Sequence, residues 1–222
     1  MLRYPMLVIN TKAYGVVDNK KAVKLAKTCD KAMKEENKTV ILALEPTQLG
    51  FVNSKEPANL FAQHVDSIEP GAHTGYVLAE SVKDQGAIGT ILNHSEHRLK
   101  ITELEQCIRR ANEVGLLTLV CAKDASEAGK LAKLKPAMIA VEPPELIGGD
   151  ISVSTAKPEI ITDTISAVKK VANIPVLCGA GVKTKGDVAE SLRLGAKGVL
   201  VASAVAKSEQ PHKVVKELLK GL

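Results

Sequence analysis

The chain has 222 residues, 45% hydrophobic and 25% charged, with 16 Gly and 10 Pro, which excludes collagenous, low-complexity and disordered classes. Its 30 basic and 25 acidic residues leave a net charge of +5, spread along the chain with only 2% aromatics. That is unlike the clustered, aromatic-interleaved surface of a nucleic-acid module, and it suits a small anionic substrate.

No apolar run approaches the ~20 residues of a membrane span. Cys29, Cys107, Cys121 and Cys178 form no CxxC pair and read as reduced, buried thiols. The start, Met1 to Pro5, lacks the apolar core of a signal peptide. The expectation is a cytoplasmic protein with neither a membrane nor a nucleic-acid partner.

In chain order, short apolar runs alternate with amphipathic stretches. The runs are Met6–Ile9, Val40–Leu44, Leu60–Ala62, Gly89–Leu92, Leu116–Val120, Met138–Val141, Ile174–Leu177 and Val199–Val201. Near-continuous hydrophobicity is the mark of strands buried on both faces of a parallel sheet. Helical spacing appears over residues 18–36 (Ala22, Leu25, Ala26, Cys29, Met33), 102–114 (Leu104, Cys107, Ile108, Ala111) and 158–172 (Ile160, Ile161, Ile165, Val168). A last helix carries Val214, Val215, Leu218 and Leu219 on one face, with Ser208 as a candidate cap. Gly86, Gly115 and Gly195 close helical patterns just before strands, where a left-handed C-cap is expected.

Strand starts recur at roughly 28-residue intervals, the length of a β/α unit, with the third unit shortened. No linker divides the chain, so residues 1–222 are expected to form one domain. Eight such units predict a (β/α)8 TIM barrel, with an open doubly wound sheet as the competing architecture.

Active sites in such barrels lie where strands end. Those positions hold Asn10 and Lys12, Glu45, Gln63-His64, Asn93-His94, Cys121, Glu142, Gly179-Ala180-Gly181 and Ala202-Ser203. Asn10 and Lys12, two apart, point the same way. If that way is inward, the ammonium can neutralise a developing oxyanion; otherwise Lys12 is a solvated lysine.

His94 precedes Ser95-Glu96, which look like a helix start that would keep the imidazole neutral; a surface histidine is the alternative. His94 and His97 have the spacing of metal ligands but lack a third partner. Glu142, rigidified by Pro143-Pro144, suits a general base or a structural ion pair. Glu145 to Asp150 combines apolar residues with Gly148-Gly149, a composition suited to a lid. Gly179-Ala180-Gly181 lacks the third glycine and the later acid of a dinucleotide fingerprint. With Ala202-Ser203 it reads as a phosphate cradle.

These residues resemble the triosephosphate isomerase family. Asn10-Thr11-Lys12, Asn93-His94-Ser95-Glu96 and Val141-Glu142-Pro143 match three of its motifs, in order, over nearly the whole chain. The short length and Pro143 to Gly148 are similar to the archaeal form. Two positions depart: Ala202-Ser203 stands where many relatives have two glycines, and Gly148-Gly149-Asp150 where Gly-Thr-Gly is expected.

The resemblance implies Glu142 as base, His94 as neutral electrophile, Lys12 as charge stabiliser oriented by Asn10, and Glu96 as a supporting acid. It implies that backbone at Ile147, Gly148, Gly181, Ala202 and Ser203 holds the phosphate of a triose. It further implies no metal or organic cofactor and a homo-oligomer, dimer or tetramer, with tetramers frequent among short archaeal forms. A Schiff-base aldolase and a non-catalytic phosphometabolite-binding barrel are the rival functions.

Overall fold

The computed structural model describes residues 2–15, 17–146 and 152–222. Eight strands follow one another: β1 (Met6–Asn10), β2 (Thr39–Leu44), β3 (Leu60–Ala62), β4 (Gly89–Leu92), β5 (Leu117–Ala122), β6 (Met138–Val141), β7 (Val176–Cys178) and β8 (Gly198–Val201). Each pairs in parallel with the next, and β8 pairs with β1, so the sheet closes as a (β/α)8 barrel. Closure leaves no sheet edge, which excludes the open doubly wound sheet.

Among the described residues the helices are α1 (Asn19–Glu36), α2 (Pro46–Asn53), α3 (Ala79–Asp84), α4 (Ile101–Glu113), α5 (Ala125–Ala132), α6 (Val153–Ala156), α7 (Pro158–Lys169), α8 (Lys185–Arg193), α9 (Ser203–Ala206) and α10 (Pro211–Leu219). None of the described helices is long and apolar enough to cross a membrane.

Strand alternation sorts two buried layers. Met6, Val8, Ile41, Phe61, Ile91 and Leu119 fill the barrel interior. Leu7, Ile9, Leu42, Leu60, Leu92 and Val120 face the helices. Both layers are buried, which is why the strands read as unbroken apolar runs. Asn10 continues the inward parity of Met6 and Val8 and is buried.

Gly86, Gly115 and Gly195 have φ of 91°, 77° and 103°, and the amide after each reaches back to close the preceding helix, as in Leu116 N–H to the Ala111 carbonyl at 2.8 Å. Several expected boundaries shift by a residue or more, and two of the shifts have a clear local cause. Ser208 is not the cap of α10: that helix begins at Pro211, and the Ser208 hydroxyl accepts from the Gln210 amide at 3.0 Å in the preceding turn. β7 starts at Val176 rather than Ile174, because Pro175 has no N–H to place in the ladder and offers only its carbonyl, to Ile139.

Candidate active site

β1 brings Asn10 to the barrel mouth, where its Oδ1 accepts from the Lys12 amide at 2.9 Å. Lys12 has φ of 51°, a left-handed conformation that is uncommon for a residue with a side chain. The Gln63 side chain, from the end of β3, helps to hold it. Its Nε2 donates to Thr11 Oγ1 at 3.0 Å, to the Lys12 carbonyl at 3.2 Å and to the Ala43 carbonyl at 3.3 Å. Sequence reasoning noted Gln63 at a strand end and gave it no task; long-range backbone contacts leave no local signature. Lys12 Nζ lies 2.7 Å from Glu96 Oε1, with the lysine side chain 11% exposed and the glutamate 59%. A pair with one partner so open to water is worth at most about 1 kcal/mol, so an incoming anion can compete for the ammonium.

His94 follows β4 and is buried. The preceding Asn93 has φ of 58°; its Nδ2 donates to the Cys121 carbonyl at 2.9 Å and its Oδ1 accepts from the Leu99 amide at 3.1 Å. The expected helix start at Ser95-Glu96 is absent: those residues form a turn, and α4 begins at Ile101. The Glu96 N–H points at His94 Nδ1 at 3.2 Å, which leaves no room for a proton there and puts the neutral ring's proton on Nε2. His97 turns elsewhere and stacks on His64 with ring centroids 4.3 Å apart, so it does not share a metal site with His94.

Glu142 directly follows β6 and is 5% exposed. Its Oε1 lies 3.6 Å from His94 Nε2, and its Oε2 is buried with no hydrogen-bond partner among the described residues. The Cys121 thiol beside it is pushed well up, first by burial, then by the Glu142 charge and a hydrogen bond to Glu142. It therefore stays protonated, a neutral donor against a carboxylate rather than a second negative charge.

The same pocket is lined by Gly181, Ala202 and Ser203, together with Tyr14, Val182 and Lys183. Gly181 has φ of 70°, which lets the turn after β7 curl toward the pocket. Asn10, Lys12, His94, Glu142, Gly179, Gly181, Ala202 and Ser203 line this one pocket, and Glu96 joins it through Lys12. Ile147 and Gly148, expected to grip phosphate, lie outside the described residues, as do Gly149 and Asp150. Tyr14 and Lys183 were not anticipated. Tyr14 carries Lys207 Nζ over its ring at 4.2 Å, a contact between the first and last β/α loops that no local pattern encodes.

This arrangement brings groups that can hold a small anion and groups that can move a proton into one pocket. A family model described as triosephosphate isomerase matches residues 5–218. The chain is 40% identical to the triosephosphate isomerase of Methanocaldococcus jannaschii, over 97% of this chain and 99% of that one. It is likewise 40% identical to that of Saccharolobus solfataricus, over 98% and 96%, and to that of Caldivirga maquilingensis, over 100% and 99%. With a near-complete family match and full-length relatives, the chain belongs to the triosephosphate isomerase family.

Proposed function

We propose that this protein interconverts dihydroxyacetone phosphate and D-glyceraldehyde 3-phosphate, an isomerisation used in both glycolysis and gluconeogenesis. One observation carries the reading: Lys12, His94 and Glu142 line one pocket together with Gly181, Ala202 and Ser203. The backbone at those three residues would take the phosphate.

The Glu142 carboxylate would remove the proton on the carbon next to the carbonyl. The electron pair of that C–H bond becomes the C=C of an enediolate, and the carbonyl oxygen takes up the negative charge. His94 Nε2–H and the Lys12 ammonium would stabilise that oxygen, which takes up the hydroxyl proton of the deprotonated carbon by way of His94 Nε2. The proton on Glu142 is delivered to the former carbonyl carbon, and the oxygen that gave up its hydroxyl proton becomes the new carbonyl. A buried carboxylate oxygen with no partner among the described residues supports a role as base. The carbonyl itself acidifies the C–H bond, so the step asks for no metal or organic cofactor.

The same reading takes residues 1–222 as one domain, places the enzyme in the cytoplasm, where four unpaired buried thiols stay reduced, and makes it a homo-oligomer, dimer or tetramer. Incubating the purified protein with glyceraldehyde 3-phosphate, with product followed through an NADH-dependent reduction of dihydroxyacetone phosphate, tests the activity. Turnover by the native chain and its loss in Glu142→Gln is the expected result; a folded native protein with no turnover on either triose phosphate refutes it.

A further inference from the structure

Gly179 stands directly after β7, opposite the end of β6, and its amide donates to the Val141 carbonyl at 2.9 Å. Nothing in its backbone calls for glycine, because its φ is not in the left-handed region. What calls for it is space. A Cβ built there would lie 2.5 Å from Glu142 Cγ and 3.2 Å from both Cδ and Oε1. Cγ is the middle of a buried side chain, not a loose tip, so an added methyl forces the Glu142 side chain, or the backbone that carries it, to shift. On its other sides the same side chain meets His94 and the Cys121 thiol.

We propose that Gly179 is a positioning residue: its missing side chain is the space that keeps the Glu142 carboxylate turned toward His94 and the pocket. This rests on the reading of Glu142 as the base, and it separates Gly179 from the phosphate cradle of which Gly181 is a part. A neighbouring cavity lined by Ser95, Arg98, Cys121 and Pro144 gives a displaced carboxylate somewhere to go, so a methyl at 179 shifts the base without breaking the barrel.

The test uses the full chain and two readouts. In Gly179→Ala, kcat falls by about a hundredfold, the scale of a ~1 Å misplacement. KM and the inhibition constant of inorganic phosphate stay near native. Thermal melting then forms a cycle: Gly179→Ala lowers Tm in the native background and loses that penalty when Glu142→Ala has removed Cγ. Normal kcat in Gly179→Ala, an equal Tm penalty in both backgrounds, or a matching loss of phosphate affinity each overturns the proposal. If Gly179→Ala alone fails to fold, the double variant must fold, and its failure overturns the proposal too. Retained turnover in Glu142→Gln would instead sink the base assignment while leaving the melting cycle to judge the steric claim.

Discussion

Glu142 Oε1 and His94 Nε2 lie 3.6 Å apart although they come from the ends of β6 and β4, strands separated in the barrel by β5. Side chains from non-adjacent strands can approach this closely because both lean inward over a filled barrel. The gap is too long for a hydrogen bond and leaves both atoms directed at the space a substrate would occupy.

If the Lys12 ammonium acts on transition-state charge rather than on packing, Lys12→Met should fold and lose most of its turnover. Its exposed partner Glu96 contributes little to stability, so Tm should move little. Steady-state kinetics with a melting curve decide it: near-native kcat in a folded variant rejects the electrophile role.

Glu142→Asp keeps the acid and withdraws it by one methylene. A base role predicts a kcat lower by about a hundredfold with KM little changed. A structural ion pair predicts the reverse, reduced Tm with the rate per folded molecule intact. Both quantities are measured on the one protein.

Asn93 sits at φ of 58°, where alanine is strained by roughly 1–2 kcal/mol and glycine is not. Both Asn93→Gly and Asn93→Ala lose the bonds to Cys121 and Leu99. Asn93→Gly is therefore expected to be the more stable by about 1 kcal/mol, reversing the usual order of the two residues. Denaturant unfolding of the pair checks the sign.

Alkaline pH should weaken the fold through its thiols. Burial pushes Cys29 and Cys107 up to about 12 and Cys178 up to about 11, and raises Cys121 as well. Unfolded thiols ionise near 8.5, so the unfolded chain releases protons that the folded chain keeps. The stabilisation is complete below about pH 8.5 and declines as pH rises toward the folded values, by about 1.4 kcal/mol per pH unit for Cys29 alone. Cys29→Ala should flatten the slope of stability against pH between 9 and 11; an unchanged slope contradicts the assignment.

The barrel was legible in the chain because strands buried on both faces must be apolar throughout, and a helix packed on one face must be amphipathic. Met6 to Ile9 and Met138 to Val141 announce themselves for the first reason, α1 and α4 for the second. The candidate site was legible as a set of polar residues at strand ends, since Asn10, Asn93-His94 and Glu142 each follow directly on an apolar run.

Direction and environment were not legible. The inward turn of Asn10 came from the parity of Met6 and Val8 within a closed sheet. The proton on His94 Nε2 is set by one amide in a turn, not by the helix start that Ser95-Glu96 suggested. The left-handed Lys12 is held by Gln63 from another strand, and the need for glycine at 179 arises from Glu142 on β6. Residue pattern records which face of an element is buried, because burial acts on each residue singly. Rotamers, tautomers and forbidden Cβ positions depend on atoms that only barrel closure brings within a few ångströms of one another.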